Sequence, residues 1–354
     1  MKRDMNKRLN DITEKLNVEG SLSLEEYEYL IANRDEAREK LACLAVEKRK
    51  SIYGSEVFLR GLIEISSICR NDCIYCGIRR SNRNAERYRL TPEQIRECAD
   101  EGYELGFRTF VLQGGEDGFF TDDVLCPIIE EIKRKHPDCA VTLSLGERSR
   151  ESYERLKNAG ADRYLLRHET ADREHYERLH PKEMSFDNRM RCLRDLKELG
   201  YQVGCGFMVG SPYQTDMTLA KDLKFIEEFK PDMCGIGPFI PHHDTPFAAH
   251  TAGTLELTTF LLSVIRLIHP PVLLPATTAL GTIHPKGREM GILAGANVVM
   301  PNLSPLSVRK KYELYDNKLC TGEEAAECRK CLEARIRSIG YETVCKRGDI
   351  KKCK

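Results

Sequence analysis

The sequence predicts an α/β protein built on a complete (β/α)8 barrel of the TIM type, with a helical segment before the barrel and a cysteine-containing extension after it. Eight strand-like runs start at residue 57, over 57–66, 109–113, 140–145, 163–168, 202–209, 233–240, 272–276 and 296–300. Helical periodicity fills the gaps between them, over 92–105, 122–135, 149–159, 186–199, 219–229, 255–268 and 286–293. Eight strands alternating with seven helices is the βα count of such a barrel. Gly160, Gly200 and Gly295 fall where three of those helices should end, as C-terminal caps do. The 354 residues suit one large barrel with appendages. The divisions expected are an N-terminal helical cap over 1–56, the barrel over 57–305 and the extension over 306–354.

Residues 1–50 read as helices with charged faces. Ser23-Leu24-Glu25-Glu26 is a helix start, and a long helix from 34 to 50 follows. Lys48, Arg49 and Lys50 are read as a solvated face, and the segment is expected to close the bottom of the barrel. The first twenty residues are charged and lack the apolar core of a signal peptide. The most apolar stretch, 260–276, is interrupted by Arg266, His269 and the Pro270-Pro271 pair, which argues against a membrane helix. A soluble, cytoplasmic protein is expected. The 55 basic and 55 acidic side chains cancel, so bulk charge makes no case for binding nucleic acid.

Fifteen cysteines are too scattered, in too long a chain, for a disulfide scaffold. Six of them form two tight clusters, which favours metal ligation. Cys43, Cys98 and Cys192 lie in helix-like segments and read as small buried hydrophobes. Cys345 and Cys353, in the basic tail, have no evident role. The first cluster, Cys69, Cys73 and Cys76, has the spacing C-x3-C-x2-C and follows the first strand directly. A structural zinc usually takes four protein ligands, and no fourth Cys or His lies within this loop. A cubane iron–sulfur cluster on three cysteines leaves one iron open for chemistry.

In a TIM-type barrel the βα loops at the C-terminal ends of the strands line the active face. Strand two ends there in Gly114-Gly115-Glu116, a glycine pair that lets backbone carbonyls approach a ligand. Strand three brings Ser144 and Glu147 to the same rim. In strand four, period-two geometry puts Leu165, Arg167 and Glu169 on one face and Tyr164, Leu166 and His168 on the other. Arg167 and Glu169 read equally as a structural ion pair or as ligand contacts. Strand five supplies a small-residue wall at Gly206, Met208 and Gly210. The loop after strand six holds His242, His243 and Asp244, where flanking prolines favour a rigid loop over a metal site. Thr277 and Thr278 follow strand seven as neutral hydroxyl groups.

The triple, with Tyr75 in its aromatic position, resembles the C-x3-C-x-aromatic-C signature of the radical S-adenosylmethionine (SAM) superfamily. The resemblance implies a 4Fe–4S cluster on Cys69, Cys73 and Cys76, with the amine and carboxylate of SAM on the open iron. One electron then cleaves the sulfonium to a 5'-deoxyadenosyl radical. It further implies that Gly114, Gly115 and Glu116 hold the SAM amino group, that Glu169 approaches SAM, and that an Arg of the next helix meets its carboxylate. Arg189 matches that position best, with Arg191 as its competitor.

The wider set LQGGED, TLSLGE, LLRHET, GPFIPHHDTPF and PATTALGTIHP resembles the FeFe-hydrogenase maturases of the HydE group, related to biotin synthase and methylornithine synthase. That likeness covers residues 25–350. It implies a small cysteine-bound iron carbonyl cyanide substrate, other hydrogenase maturases as partners and an electron donor. The residues themselves support only a polar, partly cationic cavity, where Arg167, His168, Thr277 and Thr278 could receive an anion, while relatives direct tyrosines at the positions of Tyr312 and Tyr315 toward the cavity, a packing role reading nearly as well. The second cysteine group, Cys320, Cys328 and Cys331, is read as the holder of an accessory 2Fe–2S or 4Fe–4S cluster, with zinc or no metal as alternatives. Biotin synthase is disfavoured because strands two and three lack cysteine, leaving Cys205 alone on strand five. Methylornithine synthase shares the barrel and first cluster, and a non-enzymatic cluster carrier would need no complete SAM pocket.

Overall fold

The computed structural model describes residues 2–319 and 329–351. Three helices lead in: α1 (Lys2–Glu19), α2 (Leu24–Ala32) and α3 (Arg34–Tyr53). Ser23 caps α2 through the Glu26 amide while the Glu26 carboxylate returns to the Ser23 amide at 2.7 Å, a reciprocal capping box. The barrel then begins with β1 (Glu56–Leu59) and β2 (Gly61–Ser66), one strand broken at Arg60. It continues through α4 (Pro92–Glu104), β3 (Thr109–Gly114), α5 (Asp122–Lys135), β4 (Ala140–Ser144), α6 (Arg150–Asn158), β5 (Arg163–Leu165), α7 (Arg173–Leu179) and α8 (Phe186–Glu198). Next come β6 (Gln202–Cys205), β7 (Met208–Val209), α9 (Asp216–Phe229), β8 (Met233–Cys234), β9 (Gly237–Pro238) and α10 (Leu255–Ile268). The described chain ends with α11 (Thr278–Ile283), α12 (Gly287–Leu293), β10 (Val298–Val299), α13 (Leu306–Arg309), α14 (Arg329–Ser338) and β11 (Glu342–Val344).

The strands close into a ring. Six are parallel neighbours in the order β2-β3-β4-β5-β6-β8. Met233 then bridges Leu273, Pro275 bridges Val298, and Phe58 and Leu62 pair with Val298 and Asn302. Segment 273–275 is therefore the seventh strand and β10 the eighth, so the barrel is complete. Alternate residues divide between two apolar layers. Val111, Leu165, Met233 and Leu273 face the interior, while Phe110, Leu112, Val203 and Cys205 pack outward under the helices.

Two expected strands are interrupted at the mouth. Gly206 has φ 151°, and a Cβ there would lie 2.0 Å from the Gly235 carbonyl oxygen. The two chains cross so closely that regular pairing stops, then resumes as the short β7–β9 ladder, Met208 opposite Gly237.

The N-terminal helices do not form the floor. α3 packs on α10 and α2 on α9, along the flank of the barrel, and Tyr27 donates to Glu227 at 2.7 Å. Residues 342–351 fill the bottom instead. β11 pairs beside β1, and Arg163, fully buried, donates to Asp349 and to the Arg347 carbonyl, both at 2.6 Å. Arg347 in turn reaches Asp162 at 2.9 Å. This tail also corrects the reading of Arg49, which is fully buried over the Tyr341 ring at 4.2 Å. Cys43 is exposed, whereas Cys98 and Cys192 are buried. Cys353 lies outside the described residues.

Candidate active site

The loop after β2 carries the first thiol triple, and its shape comes from hydrogen bonds that its own composition supplies. Arg87 donates to four carbonyls: Ser67 at 2.6 Å, Ile78 at 2.8 Å, Arg79 at 2.7 Å and Asn82 at 3.0 Å. Asp72 receives Arg79 and the Ser81 hydroxyl, both at 2.7 Å. The arginine beside it holds the Asp72 carboxyl far below the usual range. The loop rests on the end of β3, where the Arg70 amide donates to the Glu116 carbonyl at 3.0 Å. Gly115 is required at that contact, because a Cβ would lie 2.3 Å from the Ile68 carbonyl oxygen and 2.8 Å from Cys69 Cβ.

Burial pushes all three thiols up, Cys76 to about 12. Tyr75 sits edge-on to His180, with its hydroxyl 3.3 Å from Nε2. His180 Nδ1 is 2.9 Å from the Tyr176 carbonyl, so that nitrogen carries the proton and Nε2 accepts. Burial lowers the His180 pKa to about 3, which keeps the ring neutral in this role. His180 was not singled out in the sequence; it stands four residues before Met184, whose sulfur lies 3.6 Å from Cys73 Sγ, and the approach of this segment to the thiol loop is a tertiary fact.

Around the mouth, the ends of the other strands and helix α8 present the remaining candidates. Glu169 is half of an Arg167–Glu169 contact at 3.2 Å that lacks hydrogen-bond alignment, leaving Arg167 Nε and Nη2 and Glu169 Oε2 buried without a hydrogen-bond partner. Glu169 stands at φ 66°, a left-handed conformation that costs a non-glycine residue roughly 1 kcal/mol or more. Its amide is fixed to the Gly206 carbonyl at 3.0 Å. Arg189 turns inward and is buried, donating to Glu147 at 2.6 Å and to the Arg167 carbonyl at 2.5 Å. Arg191 turns outward onto Asp195. Glu116 receives the Glu147 amide at 2.9 Å and Arg70 at 2.9 Å. Ser144 stands beside Gln113 at the end of β4. Thr277 Oγ1 is buried with no hydrogen-bond partner, and Thr278 opens α11, its hydroxyl 3.3 Å from Arg288.

His168 does not reach the mouth. It is fully buried on the outer side of the strand, where Nδ1 accepts the Gly206 amide at 3.2 Å and Nε2 lies 3.3 Å from Asp222. Tyr312 is buried, its hydroxyl 3.4 Å from the Gln113 amide, and Tyr315 is half-buried. Lys318 pins this segment by an ion pair to Glu64, which is fully buried on β2. Cys331 is exposed on α14; Cys320 and Cys328 lie outside the described residues.

Among the described residues, His242, His243 and Asp316 are the one group of metal-binding types with three ligand atoms all within 4.8 Å of one another. Their geometry suits a clasp better than an ion. The two rings stack at 4.5 Å, His242 Nδ1 accepts the Asp244 amide at 3.1 Å, and His243 Nδ1 lies 2.6 Å from Asp316. The Cys69, Cys73 and Cys76 thiols share one loop and are not part of such a group. Three thiols on one loop are a ligand set that fits a multi-iron cluster, and the orphaned charged atoms of Arg167 and Glu169 fit a polar ligand at the same mouth.

Fold and site together define a class. The Radical SAM superfamily model matches residues 63–226. The FeFe-hydrogenase maturase subunit HydE of Thermotoga maritima is 49% identical over 302 residues, 85% of this chain and 86% of that protein. The 3-methylornithine synthase of Methanosarcina acetivorans is 29% identical over 310 residues, covering 87% and 86%. The crystal structure of a methylornithine synthase superposes with TM-score 0.81 at 26% identity, over 94% of this chain and 97% of that one. The chain belongs to the HydE family of hydrogenase maturases within the radical SAM superfamily. Membership makes it an enzyme and implies a 4Fe–4S cluster and SAM. No helix among the described residues is long and apolar enough to cross a membrane.

Proposed function

We propose that the chain cleaves SAM reductively at the barrel mouth and turns the resulting chemistry on a small cysteine–iron carbonyl cyanide complex during assembly of the FeFe-hydrogenase active site. The Thermotoga relative, a hydrogenase maturase subunit, supports that pathway and the involvement of partner maturases. The observation that carries the reading is local. Charged and hydroxyl atoms of Arg167, Glu169 and Thr277 stand buried without hydrogen-bond partners at strand ends on the face that carries the three-thiol loop, and buried polar atoms are usually paired.

When bound, a 4Fe–4S cluster with SAM on its open iron supplies a one-electron cleavage that generates a 5'-deoxyadenosyl radical. The rest is this chain's work. Cys69, Cys73 and Cys76 would hold three irons after losing their thiol protons. The carbonyls of Gly114, Gly115 and Glu116 would take the SAM amino group. Arg189, already oriented by Glu147, would meet its carboxylate, while Glu169, Ser144 and Tyr75 border the cofactor. Arg167, Thr277, Thr278, Tyr312 and Tyr315 would receive a polar substrate, and the surrounding barrel excludes water from the radical. Cys320, Cys328 and Cys331 would carry an accessory iron–sulfur cluster.

The test is anaerobic reconstitution followed by deoxyadenosine release with dithionite, alongside hydrogenase activity in a strain lacking the gene. Release that disappears in Cys73→Ala, with loss of hydrogenase in the deletion strain, is expected. No release would leave only a cluster carrier; unimpaired hydrogenase would remove the maturase role. Turnover of lysine or dethiobiotin would transfer the chain to methylornithine synthase or biotin synthase chemistry.

A further inference from the structure

The chain has no net charge, yet its cluster loop is strongly basic. Residues 69–89 carry six arginines against two acidic residues. Four of the arginines are occupied. Arg79 meets Asp72 at 2.7 Å, Arg89 meets Asp117 at 2.7 Å, Arg70 meets Glu116 at 2.9 Å, and Arg87 is spent on loop carbonyls. Glu86 pairs with Lys311. That leaves Arg80 and Arg83, both exposed, with no described residue as partner. They project from the loop that holds the thiols: the Arg80 amide donates to Asn71 between Cys69 and Cys73 at 2.8 Å, and Asn82 donates to the Gly77 carbonyl beside Cys76 at 2.7 Å. Arg80 is four residues from Cys76, so the chain between them spans at most about 14 Å. A redox protein seated on these arginines therefore touches the loop that holds the thiols.

We propose that Arg80 and Arg83 form the docking face for an acidic one-electron carrier protein, of the low-potential flavin or iron–sulfur type. The proposal rests on the radical SAM reading above. The carrier loses one electron and the cluster on Cys69, Cys73 and Cys76 gains it. No covalent bond forms or breaks in this step. Two uncompensated cations beside an otherwise neutralised loop supply attraction and orientation, which act chiefly on association rate and on salt dependence.

The experiment uses the full-length chain with Arg80→Glu/Arg83→Glu, and Arg38→Glu/Lys40→Glu on the exposed face of α3 as a control with the same charge change. The probe is flavodoxin, an acidic flavoprotein. Its affinity is measured by calorimetry at low and high salt, and deoxyadenosine release is followed with reduced flavodoxin and, separately, with dithionite. In the loop variant, flavodoxin binding should weaken about tenfold at low salt and lose most of its salt dependence. The flavodoxin-driven rate should fall with it, while the dithionite-driven rate stays unchanged. Equal binding and rate in the loop variant and the control would overturn the proposal. So would absence of flavodoxin binding to the unmodified chain, or an equal fall in the dithionite-driven rate. A chain that binds flavodoxin through these arginines but releases no deoxyadenosine with either reductant would sink the enzymatic reading and leave the docking face standing.

Discussion

Replacing Gly115 by alanine tests whether the end of β3 is the physical support of the cluster loop. The added Cβ would lie 2.3 Å from the Ile68 carbonyl oxygen, against an ordinary contact of 3.4 Å or more, so the two backbones must part by about 1 Å. Neither can rotate aside, because the Gly115 amide is bonded to Ser66 and the Arg70 amide to Glu116, each at 3.0 Å. Relief means strained packing, about 1–3 kcal/mol, with about 1 kcal/mol more if one of those hydrogen bonds opens. Urea unfolding of the cluster-free chain should show a loss of about 2–4 kcal/mol. Iron content after reconstitution should fall as Cys69 is displaced. Gly118→Ala is the internal control, since nothing lies within 4 Å of its added Cβ. A Gly115→Ala chain as stable as the control, with full iron content, would refute the support argument.

Further outcomes follow from other contacts. Arg87→Ala removes four bonds to loop carbonyls; partial exposure discounts them, and about 3 kcal/mol of stability should be lost in urea unfolding. Lysine should restore little, because it lacks the planar fork. Asp349→Ala leaves the fully buried Arg163 without its carboxylate; with Asp349 partly exposed, about 2 kcal/mol is expected in thermal or urea unfolding. Asp316 raises the pKa of His243. The ion pair therefore contributes fully below the unfolded histidine value, near pH 6.5, and the contribution is lost as pH climbs through the raised folded value. Stability measured against pH should slope downward in that window, and Asp316→Asn should flatten it. Because burial raises the pKa of all three cluster thiols, iron loading should release protons and improve with rising pH, as a pH-stat titration would show.

The ring of strands was legible because each strand carries its own apolar run and each helix its own period and cap. The break at Gly206 was not, since it arises where a second segment crosses, Gly235 against Gly206. Among the candidate residues, the thiol triple and the Gly114-Gly115-Glu116 turn are contiguous and announced themselves. Arg189 and Arg191 sit two positions apart on one helix, and only the fold shows which turns inward. His168 and Arg49 misled for the same reason. Their partners, Asp222 and Tyr341, lie 54 and 292 residues further along, and such pairing leaves no local trace. The short helices α7 and α11 escaped because 7 and 6 residues are too few to establish a period.

The tail beneath the barrel has a consequence for traffic. With residues 342–351 corked into the lower opening and tied there through Arg163 and Arg347, the vessel is loaded and emptied at its rim. Anything entering the barrel from below would first have to displace that plug.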